Sequence, residues 1–386
     1  MPTNITKMIS GIFLGSLTSA PASPVDGVIY YDSTLDEFRF RQNGAWVSIG
    51  GVAMTNPMTT TGDIIYSSDG SGTPERLGIG DEDATLQVVD GLPAWVGGTP
   101  PAGPGRGCFG GGQDATVKYN TIEYITISTT GNATDFGDLS STVAYLAACA
   151  NSTRGIFGGG DNGSVSNVID YITIASTGNA TDFGDLTVAR DYLAGLSNST
   201  RGCFAGGFSA GGNVIDYITI ASAGNATDFG DLTSSRYGVS GCSSPTRGIF
   251  GGGHVNDTTI DYITISTTGN ATDFGDLTAG RGYPASGSSS TYGIFAGGYI
   301  GGGSNIIDYI TIASTGNATD FGDLTVARFA PAAASNSIRC VFGGGYNTDS
   351  TMDYITISTT GNATDFGDLT AGRGLLAGLA DSHGGL

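Results

Sequence analysis

Hydrophobic residues in this chain come in short alternating runs separated by Gly, Ser, Asn and Thr, and past residue 101 no run carries a helical period. The pattern recurs. The string YITI starts at Tyr124, Tyr171, Tyr217, Tyr262, Tyr309 and Tyr354, at spacings of 47, 46, 45, 47 and 45 residues. Each copy is followed by GNATDFGDL, starting at Gly131, Gly178, Gly224, Gly269, Gly316 and Gly361. Each is preceded by a segment of the form (I/C/V)-F-(G/A)-G-G around Phe109, Phe157, Phe204, Phe250, Phe295 and Phe342. One unit predicts four strands: Tyr192–Asn198, Gly202–Gly206, Val214–Ile220 and Ala226–Leu232, joined by turn-forming Asn-Ser-Thr-Arg-Gly, a Gly-rich loop, and Ser-Ala-Gly-Asn. Four strands at a period near 47 predict one propeller blade per repeat, hence an all-β fold with a six-bladed β-propeller over 101–386. The first repeat begins at Arg106 with a second strand, and the chain's last stretch, Leu375–Ser382, reads as a first strand. The C-terminus is therefore expected to complete the first blade and leave no open edge.

Composition agrees with this pattern. Of 386 residues, 66 are Gly and only 13% are charged, which fits a β-rich chain and not a disordered one. The net charge of −20 is spread as −7 over 1–100 and −13 over 101–386, with no basic stripe. Phosphate neutralisation needs clustered Lys or Arg, so neither nucleic acid nor an anionic membrane surface is an expected partner. No apolar run is long enough to span a bilayer, and Met8–Leu17 is too short and Gly-broken for a secretory leader. The five cysteines lack metal spacing; Cys108 and Cys203 share one repeat position, Cys149 and Cys242 another, and all read as small core residues.

The repeated polar residues invite chemistry, but their number argues against it. Each unit carries three acids, such as Asp216, Asp228 and Asp231, and together they make 18 of the 24 acids in this region. An active site occurs once, whereas these occur six times. Five units place an Arg four residues after the Leu of GNATDFGDL (Arg190, Arg236, Arg281, Arg328, Arg373), and five place one at the start of the second strand (Arg106, Arg154, Arg201, Arg247, Arg339). Asp–Arg and Asp–backbone pairing that pins each blade corner is the expectation. The DFG triplet has no accompanying kinase motif, and Asn-Ala-Thr serves a tight turn as well as a sequon. The two histidines, His254 and His383, assemble no catalytic or zinc set, and no cofactor or metal site is expected.

In a propeller, like loops share a face. The loops after first and third strands (NSTRG, STTGNAT) are nearly identical across units; the loops between second and third strands differ in length and content. The variable loops are expected on the opposite face, beside the first-strand starts, which carry Tyr145, Tyr192, Tyr237, Tyr283 and Phe329. Divergence on one face reads as tuning for a ligand, and these rings could stack on sugars. The other reading is that they plug the blade core.

Two resemblances sharpen the expectation. The unit, with its Gly pair closing the second strand and its Tyr in the third, resembles the kelch repeat over 106–386, although the kelch Trp of the fourth strand is replaced by Phe136, Phe183, Phe229, Phe274, Phe321 and Phe366. In 24–49, alternating apolar residues bracket a turn at Gln42-Asn43-Gly44, a hairpin signal. This segment resembles the P-x-x-G-x-x-YYD…R-Q-N-G-A-W-V module of bacteriophage tail-fibre and virion proteins. Residues 58–96, with MTTTGDII, TPERLGIG and LPAWV, resemble a second such module. The expected organisation is a virion-attachment β module at 1–53, a fibre-type module with a Pro/Gly linker (Thr99–Gly105) at 54–100, and the propeller at 101–386. The resemblance implies a homotrimer held on the particle through other virion proteins at its N-terminus, localised in the virion after assembly in the host cytoplasm. It implies a tail fibre or spike whose propeller meets a host cell-surface glycan. The alternative is a non-adhesive capsid decoration or baseplate piece using the propeller as a docking platform. An enzyme is not expected: the sialidase S-x-D-x-G-x-x-W box is absent, Ser68-Asp69-Gly70 lacking its continuation.

Overall fold

The structure, a computed structural model, describes eight short strands within 16–96 and then residues 105–208, 212–254, 257–346 and 349–386. Of the segments discussed above, Met8–Gly15, Asn43-Gly44, Ser68-Asp69-Gly70 and Thr99–Pro104 lie outside the described residues, as do the parts of 24–49 and 58–96 outside the strands. The chain forms two compact units, 1–99 and 100–386.

In the first unit, Ser16–Leu17, Ile29–Asp32, Glu37–Gln42 and Ala45–Ser48 form one sheet in that order. Glu37–Gln42 pairs antiparallel with Ala45–Ser48, Gln42 opposite Ala45. Two further hairpins follow, Ile64–Tyr66 with Glu75–Leu77 and Thr85–Val89 with Leu92–Val96.

The second unit is a six-bladed β-propeller of four-stranded antiparallel sheets. Blade 3 shows the plan: inner strand Ala194–Ser197, then Arg201–Ala205, Val214–Thr219 and outer strand Thr227–Asp231. Blade 1 is built from both ends. Its outer three strands are Arg106–Gly110, Thr121–Thr126 and Thr134–Asp138, and its inner strand is Ala377–Ala380, with Ala377 opposite Gly110 and Ala380 opposite Gly107. The expected closure is present.

Packing between blades explains why the repeat drifts so little. The second-strand Phe of each blade is fully buried; at four of the six junctions it packs on a neighbouring blade's glycine, whose Cβ would crowd the ring, as Gly110 would strike Phe157 at 2.6 Å, and at the other two it packs on Ala205 or Ala296. The GNAT turn of each blade pairs with the outer strand of the one before: Gly178 N donates to Phe136 O, Ala180 N to Asp138 O, and Asn179 Oδ1 accepts from Asp138 N. The same bonds join Gly131, Ala133 and Asn132 to blade 6. The conserved-looking face is thus an inter-blade seam.

Both sets of arginines are structural, in different ways. Arg190, Arg236, Arg281 and Arg328 form buried ion pairs with Asp216, Asp261, Asp308 and Asp353 at 2.6–2.9 Å, and Arg373 pairs with Glu123 at 2.8 Å. Among the described residues, no ion pair joins the second set to an acid. Arg154 lies 4.7 Å over Tyr171 and donates from Nη1 to Ile220 O of the next blade. Arg339 does the same across the ring junction, over Tyr354 and onto Ser128 O. Among the described residues, the third-strand acid meets a guanidinium in five of the six blades; Asp228, on the fourth strand, is exposed.

Candidate functional site

The six inner strands line an axial channel, and small residues set its bore. A Cβ on Gly195 would stand 2.2 Å from Ala148 O, and one on Gly378 2.3 Å from Ala333 O, so neighbouring strands approach more closely there than a side chain permits. On the variable-loop side the channel holds a cavity of about 120 Å³, and beyond it one of about 50 Å³.

A closed ring of six backbone hydrogen bonds encircles the open mouth. Tyr192 N donates to Tyr145 O, Gly238 N to Tyr192 O, Tyr283 N to Gly238 O, Ala330 N to Tyr283 O, Leu375 N to Ala330 O and Tyr145 N to Leu375 O, all at 2.8–3.0 Å. All six residues are left-handed, with φ between 56° and 69°. Only one is glycine, so the ring stores strain at five positions.

This ring corrects the alignment of the aromatic positions. Tyr145, Tyr192 and Tyr283 belong to it, but Tyr237 and Phe329 precede its members Gly238 and Ala330. They stand one step further out, level with Ala144, Asp191, Gly282 and Gly374. A third circle follows the Gly pair of each blade: Gln113, Asp161, Phe208, His254, Tyr299 and Tyr346. It is bridged to the second through Gly374–Gln113, Ala144–Asp161, Asp191–Phe208 and Gly282–Tyr299. The variable loops do lie beside the first-strand starts.

The five predicted rings are half-buried around the mouth, not inside the blades. Tyr145, Tyr192, Tyr283 and Phe329 pack on Ala144, Ala330 and Leu375 at the axis. The third circle heads the variable loops that the sequence placed on this face, though not as individual site residues, and it extends these rings into a surface. Phe208 packs edge-on to Tyr237 at 5.1 Å and to Tyr192 at 6.5 Å, and Tyr237 meets His254 at 5.1 Å. Phe329 stacks on Tyr346 at 4.6 Å and meets Tyr299 at 5.2 Å. Phe208 and Tyr346 are 53% and 43% exposed, large values for aromatic side chains. The signal available in the sequence was the residue directly after each Gly pair.

The remaining sector of the mouth is polar. Lys118 bonds Asp161 at 2.8 Å and holds its carboxyl below the usual range. Asp114 accepts from the backbone of Val117 and Thr116 and from the Tyr119 hydroxyl, which together hold it ionised far into acid. Gln113 Nε2 donates to Tyr145 Oη at 2.8 Å. Asp191 is buried beneath the rings with Oδ1 unpartnered, and burial pushes its carboxyl up. Burial likewise raises the Tyr192 and Tyr283 hydroxyls, which remain neutral donors.

The far end of the channel is closed by the C-terminus. His383 Nε2 donates to Ala150 O at 2.9 Å, its Nδ1 accepts from Gly385 N at 3.1 Å, and Gly384 N reaches Ser288 O at 3.0 Å. Nothing about His383 as a residue in a Gly-rich stretch foretold this plug. Among the described residues no group of three or more His, Cys, Asp or Glu is placed to hold a metal ion.

One mouth is therefore open, aromatic over one sector and hydrogen-bonding over the other, and the opposite one is stoppered. Compared with models of known protein families and with curated proteins, the sequence matches none.

Proposed function

We propose that this chain is a bacteriophage virion protein, a tail fibre or spike. Its N-terminal β modules attach it to the particle, as a homotrimer, and the propeller's open mouth binds a glycan on the host surface. The observation that carries this reading is the one-sided array of Phe208, Tyr237, His254, Tyr299, Phe329 and Tyr346 beside Asp161, Lys118 and Gln113. Sugar rings offer flat C–H faces to aromatic side chains and hydroxyls to carboxylates and amides, so the two sectors suit two sides of one saccharide. The antiparallel pairing of Glu37–Gln42 with Ala45–Ser48 supports the fibre-type reading of the N-terminus, and the Gly pair closing each second strand supports a kelch-like reading of the blades. The role is adhesive and not catalytic.

Glycan-array binding of the full chain tests the proposal. Phe208→Ala and Tyr346→Ala, at exposed rings, are expected to weaken binding of the selected glycan about fivefold each, since a stacking contact is worth ~1 kcal/mol. Thermal unfolding should be unchanged. Failure of the wild-type chain to bind any glycan, or undiminished binding by the double variant, would favour the docking-platform role instead.

A further inference from the structure

Blade 2 lacks the guanidinium that every neighbour carries beside its third-strand acid. Blades 3 to 6 and blade 1 each seat an Arg against Asp216, Asp261, Asp308, Asp353 or Glu123. In blade 2 the acid is Asp170, and the position of the Arg is taken by Val143. Asp170 is only 6% exposed. Its Oδ2 accepts from Ser140 N at 3.0 Å and Ser140 Oγ at 2.7 Å, while its Oδ1 is buried with no partner. Next to it is a cavity of about 20 Å³ lined by Val143, Phe157, Gly159, Ser166, Val168 and Asp170, among others. That volume admits one occupant of about water's size.

The oxygens around the gap are those of a cation's seat. In blade 3, Arg190 donates to Val214 O at 2.7 Å and Phe204 O at 3.1 Å as well as to Asp216; in blade 4, Arg236 also reaches Gly252 O. Strand register makes Val168, Phe157 and Gly159 the blade 2 counterparts of Val214, Phe204 and Gly252. Blade 2 thus keeps the acceptors and loses the donor. A buried carboxylate without a counter-charge costs several kcal/mol, and carboxylate plus carbonyl oxygens are the ligands hard cations prefer.

We propose that this cavity binds a small dehydrated monovalent cation, sodium or potassium, which replaces the missing guanidinium and neutralises Asp170. The single charge matches the single carboxylate.

Thermal unfolding of the full chain at pH 7.5 in sodium, potassium or choline chloride of equal ionic strength tests this. Sodium or potassium is expected to raise Tm by a few degrees over choline, with saturation. Asp170→Asn should abolish the difference, and Val143→Arg should abolish it while raising Tm in choline. Crystals soaked in rubidium should show an anomalous peak beside Asp170 Oδ1. Equal Tm in all three salts, a response that survives Asp170→Asn, or a response to calcium alone would overturn the proposal. So would a Tm that rises on mild acidification with no cation effect, since a proton would then be the neutralising group.

Discussion

His383 is a single side chain whose protonation state the surrounding backbone dictates. Its Nε2 faces the Ala150 carbonyl and must carry hydrogen, and its Nδ1 faces the Gly385 N–H and must not. A second proton on Nδ1 would meet a donor, and burial lowers the ring's pKa below the ordinary 6.5. The unfolded chain takes up that proton as pH falls through about 6.5, whereas the folded chain resists it. The contribution to stability is therefore full above 6.5, declines in the window beneath, and is lost once the folded ring itself protonates. Tm measured from pH 8 to 5 is expected to fall more steeply for the wild type than for His383→Asn, and parallel curves would show that the folded ring takes up its proton as readily as the unfolded one. This role was not legible from residue type, because a lone His among glycines carries no partner information. The aromatic positions were legible only to within one residue. Tyr237 and Tyr192 both open a first strand, but the residue that turns left-handed is decided by the hydrogen-bond ring, and no Gly marks it in five of six blades.

Pairs of strands show compensation that the repeat alone does not reveal. A side chain on each inner strand fills the space left by a second-strand glycine of the next blade: Leu379 against Gly155, Cys149 against Gly202, Leu196 against Gly248, Cys242 against Gly293. At the blade 5 to blade 6 junction the sizes are exchanged, and a Cβ on Gly287 would lie 2.5 Å from Cys340 Sγ. Cys340 is the one departure from Gly at its repeat position, where the other units have Gly107, Gly155, Gly202, Gly248 and Gly293; its reason lies 53 positions earlier, in another blade, where only the three-dimensional neighbour can supply it. Gly287→Leu alone should overpack this seam and cost at least ~1–3 kcal/mol. Adding Cys340→Gly should recover most of that loss by restoring the arrangement of the other blades, as denaturant midpoints of the two single variants and the double would register. The pairs of Arg with a third-strand acid, in contrast, were readable at this scale, since fixed spacing brings both partners to the same corner in five of the six blades. The second arginines were not, because their acceptors are carbonyls of the following blade.

For the molecule, the consequence of the repeat is a ring whose last joint is made by the chain's end. The six-fold period, the four-strand blade and the borrowed inner strand were all legible because they follow from spacing alone. The stoppered channel was not, since it depends on where the final residues go after the strand. Ala377, Leu379 and Ala380 enter the two apolar clusters on either side of the junction, one shared with blade 2 and one with blade 6. Removing 374–386 would therefore expose both clusters, leave Arg106–Gly110 as an open edge, and unstopper the channel. Burial and pairing lost together amount to several kcal/mol against a typical total of about 5–15. The truncated chain is expected to lose cooperative unfolding and to self-associate in size-exclusion chromatography through the open edge. A synthetic peptide spanning 374–386, added in trans, should restore a monodisperse, cooperatively melting species. A truncated chain that melts like the full one, with or without the peptide, would mean that five complete blades hold the ring without its closing strand.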